Sequence, residues 1–256
     1  MWTISPDRTV TRRLAVGAGL LAIAAGLYFL APGRSAPGAA PEGAVPKPPL
    51  RTVAIVKKEL ALTFDISWGT VMPPKVIAIL VREKVPATFF LSGPWSGQHP
   101  ELVALLKRDG FQIESHGQAH VNYSGLSNAQ VQENISKAQT ILEQVAGTKT
   151  DMVRPPNGDY NRRTLQVAES MGYTVVLWGT DSRDWMNPGV GAITSRVLRL
   201  AHPGDVVLLH ASDTCKQTDL ALPAIISGLR SQGYQFVTVD QLLQDAKAAQ
   251  EPQPAA

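Results

Sequence analysis

The segment LALTFDISWG, residues 60–69, carries the clearest sequence signal for the fold. It opens with the apolar run Leu60–Phe64, which has the composition of a buried strand, and the carboxylate of Asp65 follows directly. The same arrangement, a strand-like run that ends in a polar titratable residue, recurs four more times along the chain. The further runs are FQIES before His116 and His120, DMV before Arg154, YTVVLWGT before Asp181 and Asp184, and DVVLL before His210.

Helical patterns separate these runs, and strands that alternate with helices indicate parallel βαβ units. The sequence therefore predicts an α/β fold, either a (β/α) barrel or an open doubly wound sheet. Ser127 and Gln130 form a predicted capping box, and four predicted helices are followed by glycine (Gly110, Gly147, Gly172 and Gly233). The predicted strands are Leu60–Phe64, Ala87–Leu91, Gln112–Glu114, Asp151–Val153, Thr174–Trp178, Asp205–Leu209 and Gln235–Val239, and the predicted helices lie near 73–84, 100–109, 128–146, 161–171, 191–201, 219–232 and 240–247.

The position of the polar residues within the predicted strands points to a functional site. All five groups lie at the carboxyl end of their strand, which is where the loops of a (β/α) barrel converge. Burying carboxylates, imidazoles and a guanidinium at strand ends costs free energy unless these groups pair or bind something. The sequence therefore predicts one polar pocket on this face.

Composition and charge exclude several classes of protein. Hydrophobic residues make up 44% and charged residues 18% of the 256 residues, which rules out global disorder. The net charge of +3 comes from residues 1–50, which hold five Lys or Arg against two Asp or Glu, so the remainder is neutral. A neutral domain gives no support for a nucleic-acid partner. The single cysteine, Cys215, excludes an internal disulfide.

The amino-terminal region predicts a membrane anchor. Residues 14–31 are uncharged and, as a helix, would span about 27 Å, close to the hydrocarbon thickness of a bilayer. Arg8, Arg12 and Arg13 precede this run, so the positive-inside rule predicts a cytoplasmic segment at 1–13 and an extracytoplasmic domain. A cleaved signal peptide is the alternative, although its apolar region is usually shorter.

The remaining boundaries follow from composition. Residues 32–50 are rich in Pro, Ala and Gly and are predicted to be a linker, and residues 51–247 are predicted to form the folded domain. Residues 248–256 are predicted to be a flexible tail. The protein is thus expected to be a single-pass protein of the cell membrane with its folded domain outside.

Five ordered motifs resemble those of the polysaccharide deacetylases, the carbohydrate esterases with a NodB homology domain. They are TFDISWG (63–69), SHGQAH (115–120), RPPNG (154–158), DSRDW (181–185) and LLH (208–210), and they are most similar to the sporulation-associated PdaB subgroup. The resemblance implies a distorted (β/α) barrel of about seven parallel strands. It also implies an enzyme that hydrolyses the acetamide group of cell-wall glycan, either peptidoglycan or a chitin-like chain, in sporulation or cell-wall maturation.

The resemblance also implies a role for each matching residue. Asp65 corresponds to the general base and Arg154 to the residue that holds it. His210 corresponds to the general acid, and Asp184 to the carboxylate that orients it and raises its pKa. His116 and His120 correspond to two ligands of a divalent metal, zinc or cobalt, and their i, i+4 spacing suits two ligands on one ion.

Three further residues match substrate-binding positions of the family. The backbone N–H of Asn157 corresponds to an oxyanion donor. Trp185 and Leu208 correspond to the walls of the groove and of the pocket for the acetyl methyl group.

Two positions depart from the family pattern. The third metal ligand of the family, an aspartate directly after the base, is here Ile66, and the usual Ser or Thr after the first histidine is Gly117. A metal is therefore expected to bind weakly unless Asp65 or Ser67 is recruited. The alternative function is a catalytically impaired protein on the same fold that binds glycan or has a structural role.

Overall fold

The computed structural model describes residues 45–250, apart from the side chain of Gln250. The predicted cytoplasmic segment, the predicted membrane helix at 14–31 and most of the predicted linker and tail lie outside these residues. Among residues 45–250, no helix is both long and apolar enough to cross a bilayer.

A parallel sheet of eight strands forms the centre of the described domain. The strands are β1 (Glu59–Ile66), β2 (Thr88–Leu91), β3 (Gln112–Ser115), β4 (Met152–Val153), β5 (Thr174–Val175), β6 (Thr180–Asp181), β7 (Asp205–His210) and β8 (Gln235–Phe236). Their order is β5-β4-β3-β2-β1-β7-β6, and β8 pairs with the first residues of β1. The α/β prediction is confirmed, and the sheet curls into a half-barrel, which is consistent with the distorted barrel that the resemblance implies.

Of the run predicted as one strand at Thr174–Trp178, only Thr174 and Val175 form β5. A separate short strand, β6, follows at Thr180–Asp181. After β5, the chain crosses to β7, where the N–H of Gly179 donates to the carbonyl of Val206 at 3.0 Å and the N–H of Thr180 donates to Asp205 Oδ1 at 3.0 Å. A Cβ atom at position 179 would collide with the Asp205 carboxylate, so the crossing requires glycine. This crossing adds β6 to the predicted strands.

The segment 50–53 lies between the two ends of the sheet. The N–H of Leu50 donates to Val175 at 2.8 Å on the β5 side. The N–H of Val53 donates to Gly204 at 2.8 Å, next to the start of β7. Leu50, predicted as the last linker residue, is thus hydrogen-bonded within the sheet.

Within the described residues, eight α-helices surround the sheet, and one of them, α2, has no counterpart in the sequence prediction. α8 runs to Gln250 and so includes the first residues of the predicted tail. The predicted capping box at Ser127 and Gln130 is confirmed, and all four glycines predicted to end helices have positive φ. The helices are α1 (Met72–Glu83), α2 (Gly93–Gln98), α3 (Pro100–Arg108), α4 (Asn128–Ala146), α5 (Arg162–Ser170), α6 (Val190–Leu200), α7 (Thr218–Ser231) and α8 (Val239–Gln250).

Residues of β1 alternate between two environments, as a strand buried on both faces requires. Leu60, Leu62, Phe64 and Ile66 pack in the core that includes α1 and α7. Ala61 packs on the other face, in the smaller core that includes residues of α8. Asp65 follows the second set, so its carboxylate emerges on the face opposite to the core shared with α1 and α7.

Candidate active site

A cavity of about 330 Å³ lies at the carboxyl ends of the strands, where the sequence predicts the site. Its opening is flanked by Trp68 and Trp185, both about half exposed. Seven predicted site residues line it, and Arg154 and Asp184 are fully buried in contact with lining residues. The seven are Asp65, His116, His120, Asn157, Trp185, Leu208 and His210.

The first pair of buried, oppositely charged side chains at the cavity is Asp65 and Arg154. Arg154 Nη1 donates to Asp65 Oδ1 at 2.7 Å, and the guanidinium is 0% exposed. Its Nε and Nη2 donate to the carbonyls of Val176 and Leu177 at 3.3 and 3.0 Å, and its carbon lies 4.0 Å from the centre of the Phe90 ring. These contacts fix the fork of Arg154, so it holds one oxygen of Asp65 and leaves the other free.

The electrostatic environment keeps Asp65 ionised. Burial alone would raise the pKa of its carboxyl, but the positive charge of Arg154 and the nearby His116 and His210 outweigh it and lower the pKa. Asp65 Oδ2 lies 3.7 Å from His116 Nε2 and is the oxygen available to accept a proton.

The second pair is His210 and Asp184. His210 Nδ1 lies 2.7 Å from Asp184 Oδ1, and the backbone N–H of His210 donates to Asp184 Oδ2 at 2.7 Å. The hydroxyl of Thr218 also donates to Oδ2, at 2.7 Å. Burial alone would lower the pKa of His210, but the Asp184 carboxylate reverses this and the pKa is raised. The raised pKa favours the protonated imidazole, and Nε2 is the nitrogen left for proton transfer because Nδ1 contacts Asp184.

His116 and His120 lie next to the first pair, with ring centres 5.4 Å apart. His116 Nδ1 lies 2.8 Å from the carbonyl oxygen of Arg154, and burial lowers the pKa of His116 to about 4. A neutral imidazole whose Nδ1–H donates to a carbonyl is the usual state of a metal ligand. The ring of His120 lies 4.7 Å from the ring of Trp68, and burial lowers the pKa of His120.

The donor set does not complete a three-ligand metal site around these histidines. Ile66 is 0% exposed and packs in the apolar core. Within residues 45–250, the three metal-binding side chains that come close enough together are Asp184, His210 and Cys215, not the histidine pair. In that trio the Asp184 oxygens already accept three hydrogen bonds, and burial raises the pKa of the Cys215 thiol to about 12. Neither group matches the three free donors of a catalytic zinc.

The loop that carries the two histidines is held in a different way from the one the family pattern implies. The hydroxyl of Tyr123 donates to Asn134 Oδ1 at 2.9 Å, and the same oxygen accepts the N–H of Gln118 at 2.7 Å. A Cβ atom at Gly117 would collide with both the Tyr123 hydroxyl and Asn134 Oδ1. The phenol of Tyr123 therefore fills the space next to the loop, and the hydroxyl absent at Gly117 is replaced by this network.

The residues predicted to contact substrate lie at the rim and floor of the cavity. Asn157 has φ 59°, and its side-chain amide donates to Asn122 Oδ1 at 2.8 Å. Leu208 is buried and apolar, as a pocket for a methyl group requires. The oxyanion role of the Asn157 backbone remains a prediction.

Several lining residues were not among the nine predicted site residues, although Ser67 was named as a possible additional metal ligand. Ser67 lies two residues after Asp65, so strand periodicity places it on the same face, and its buried hydroxyl has no partner within the described residues. Ser212, two residues after His210, follows the same rule. Thr214 and Cys215 lie in a loop, where the sequence carries no periodic signal, and Trp178, predicted as the end of a strand, lies in the connection between β5 and β6.

Two buried pairs of oppositely charged side chains, Arg154 with Asp65 and Asp184 with His210, thus meet at one cavity at the carboxyl ends of parallel strands. The family model described as polysaccharide deacetylase matches residues 53–176, which include Asp65, both histidines and Arg154. A peptidoglycan-N-acetylglucosamine deacetylase of Bacillus cereus is 36% identical over 190 residues, covering 73% of this chain and 89% of that protein. The chain belongs to the polysaccharide deacetylase family.

Other relatives differ in length and in activity. The deacetylase PgdA of Listeria monocytogenes is 36% identical over 74% of this chain, but the chain spans only 40% of that protein. A crystal structure described as a pseudoenzyme of carbohydrate esterase family 4 from Bacillus anthracis superposes with a TM-score of 0.73 at 27% identity, covering 77% of this chain and 69% of that one. A mutant of that pseudoenzyme is described as having restored enzymatic activity. The family thus contains both active and inactive members.

Proposed function

We propose that this protein removes the acetyl group from N-acetylated sugars of cell-wall glycan. The observation that carries the proposal is the pair of buried acid–base assemblies, Arg154–Asp65 and Asp184–His210, which meet at one cavity. Both assemblies have the protonation bias that amide hydrolysis needs: an ionised carboxylate as base and a protonated imidazole as acid.

The chemistry uses these two pairs in sequence. Asp65 takes a proton from a water molecule, whose oxygen forms a bond to the carbonyl carbon of the acetamide. The carbon–nitrogen bond then breaks, and His210 gives its proton to the departing amine. The products are acetate and a free amino sugar. Asp184 stabilises the imidazolium, and Arg154 keeps Asp65 in the geometry required of a base.

The apolar and aromatic side chains around the cavity are suited to contact a sugar ring. Trp185 and Trp68 present half-exposed indoles at the rim, and Leu208 offers an apolar wall beside His210. Such walls orient the acetamide so that its carbonyl carbon faces Asp65 while its methyl group is kept away from water.

Metal, location and physiological role are part of the same proposal. We infer that a divalent ion, zinc or cobalt, binds weakly at His116 and His120, since a third protein donor is lacking there. The domain would act outside the cytoplasmic membrane, anchored by residues 14–31. Its role would be in sporulation or cell-wall maturation.

The test is acetate release from chitin and peptidoglycan oligomers, with and without added zinc or cobalt. We expect weak release, which falls sharply in Asp65→Asn because the variant cannot accept the proton of water. Asp109→Asn, at an aspartate that pairs with Arg108 at the end of α3 and does not line the cavity, is the matched control and should keep full activity. Release that survives Asp65→Asn would contradict the proposed mechanism.

A second function, glycan binding without catalysis, is favoured by the incomplete donor set and by the inactive relative. It predicts measurable binding of the same oligomers by titration calorimetry and no acetate release at saturating metal. The two functions are therefore separated by one pair of measurements on the natural protein.

A further inference from the structure

A groove lined by three arginines lies beside the catalytic cavity. Arg183 projects from the loop after β6, and Arg196 and Arg199 project from α6. The groove has a volume of about 340 Å³. Its other lining residues are Ser182, Met186, Pro188, Ala192 and Ser195, none of which carries a negative charge.

The side chains on α6 are spaced so that a ligand can enter. Ala192 lies three and four residues before Ser195 and Arg196, and Arg199 lies four and three residues after them, so Ala192 and Arg199 each adjoin both residues on one side of the helix. Because Ala192 and Ser195 are small, this face leaves open space beside the two guanidinium groups.

The positive charge of the groove is not neutralised by the protein. Among the described residues, no carboxylate lies within ion-pair distance of Arg183, Arg196 or Arg199, whereas Arg82, Arg108, Arg154 and Arg230 all have such a partner. Arg196 Nε donates to the carbonyl of Asp181 at 2.6 Å, which fixes one guanidinium against the loop. Three guanidinium groups around one groove favour an anion that can accept their paired N–H donors.

The groove and the cavity share one loop. Asp181 and Trp185 line the cavity, while Ser182, Arg183 and Met186 line the groove. Arg183 has φ 58°, an uncommon conformation for a residue other than glycine, and its N–H donates to Asp181 Oδ1 at 2.8 Å. The loop that presents Trp185 to the cavity therefore also presents Arg183 to the groove.

We propose that this arginine groove binds an anionic group carried by the glycan, so that the site prefers an acidic glycan to a neutral one. The inference rests on the proposed function, because it places the glycan in the adjacent cavity. The shared chemistry is an oxyanion, either a carboxylate of the chain or its attached peptide, or a phosphate of an attached polymer. A neutral chitin-like chain offers neither group.

The test measures binding, so it does not depend on turnover. Titration calorimetry compares a neutral N-acetylglucosamine oligomer, a carboxylate-bearing peptidoglycan fragment with the same number of sugars, and that fragment with its carboxylates amidated. The variants are Arg183→Gln, Arg199→Gln and the double variant. Arg162→Gln, an exposed arginine on α5, is the matched control.

We expect the acidic fragment to bind more tightly than the other two in the natural protein. Each groove variant should weaken acidic binding about two- to fivefold and leave neutral binding unchanged, as expected for exposed guanidinium contacts. The salt dependence of acidic binding should also decrease, since fewer charges are paired. Arg162→Gln should change neither affinity.

Two results would overturn the inference: equal affinity for acidic and neutral fragments, or groove variants that weaken both equally. Competition by a glycerol phosphate oligomer that depends on Arg183 and Arg199 would identify phosphate as the bound group, and its failure would identify carboxylate. Acetate release measured in parallel keeps the proposals distinct. At substrate concentrations well below saturation, release from the acidic fragment that is unaffected by the groove variants would contradict the groove while leaving deacetylation intact.

Discussion

Asp184 shows how one buried residue sets the chemistry of another. Its two oxygens accept hydrogen bonds from His210 Nδ1, the His210 backbone and Thr218, so the carboxylate is fully satisfied without solvent. A buried carboxylate held in this way stabilises a positive imidazole beside it. The raised pKa of His210 is therefore a property of this pair and not of the histidine alone.

We predict that Asp184→Asn shifts the pH dependence of the site to lower pH. Without the carboxylate, burial remains and lowers the pKa of His210, so the imidazole loses its proton earlier as pH rises. Because the acid form is needed, the alkaline limb of the pH profile of acetate release should move down. The same shift is measurable by NMR titration of His210 in an inactive preparation. Thr218→Val, which removes one neutral donor, is the control, and an equal shift in that variant would contradict the explanation.

At position 66, the residue type decides whether a metal can be held. We predict that Ile66→Asp raises the affinity for zinc or cobalt, because it adds a carboxylate donor at the family's ligand position. The substitution also removes a fully buried apolar side chain, so stability should fall by a few kcal/mol. Calorimetric titration measures the affinity.

Ile66→Asn is the matched control, because asparagine has nearly the same size as aspartate but carries no charge. Tight metal binding by the natural protein, unchanged in Ile66→Asp, would show that another residue completes the site.

At the scale of single elements, the loop between β3 and α4 determines the positions of both histidines. Tyr123 and Asn134 hold the loop through their mutual hydrogen bond. Gly117 has φ 76°, and a Cβ atom there would collide with the Tyr123 hydroxyl. Two separate requirements therefore apply at Gly117, a left-handed backbone and an absent side chain.

We predict that Gly117→Ala destabilises the protein by more than Gly110→Ala. Gly110 has φ 77°, but a Cβ atom added there would have nothing within 4 Å, so its variant carries only the backbone cost of about 1 kcal/mol. Gly117→Ala adds the collision with Tyr123 and Asn134. Urea denaturation of both variants measures the difference. In a Tyr123→Phe background, Gly117→Ala should cost less than it does alone, and strict additivity would contradict a direct clash.

The sequence predicted this site in part, and the structure shows why. Asp65, His116, Arg154 and His210 lie at or directly after the carboxyl ends of strands, so strand position alone places them on one face. The network of Tyr123 with Asn134 joins residues 11 apart through a loop and a helix, and no periodic pattern reveals such a contact. The strand β6 was missed for a similar reason, because the close approach of Gly179 to Asp205 depends on residues distant in the chain.

At the scale of the whole molecule, a second polar network ties the sheet to the carboxyl-terminal helix. Glu114 accepts the side-chain amide of Gln112 at 3.0 Å and the N–H of Met152 at 3.0 Å. Gln112 in turn accepts the hydroxyl of Thr88 and the N–H of Asp240, at the start of α8. The network joins β2, β3, β4 and α8.

Burial raises the pKa of Glu114 to about 8, and the neighbouring Asp151 and Asp240 act in the same direction. In the unfolded chain this carboxyl loses its proton near pH 4.5. Between these two pH values the folded state binds more protons at Glu114 than the unfolded state does. The contribution of this carboxyl to the free energy of unfolding is therefore greatest at low pH and is lost as the pH rises towards 8. Each pH unit in this interval costs up to about 1.4 kcal/mol from this group.

We therefore predict that Glu114→Gln changes the dependence of stability on pH more than it changes stability at any single pH. At pH 5 the variant should be less stable, because the amide nitrogen of glutamine cannot accept the N–H of Met152. As pH rises to 9 the difference should shrink or reverse, because only the natural protein must ionise a buried carboxyl. Urea denaturation at pH 5, 7 and 9 measures both curves.

Glu133→Gln on the exposed face of α4 is the control, because an ion pair with Lys137 lowers the pKa of Glu133. The pH dependence of stability in this variant should stay parallel to that of the natural protein. A constant gap between Glu114→Gln and the natural protein across this range would mean that Glu114 titrates outside it, and that the network is held by hydrogen bonds whose strength does not depend on pH.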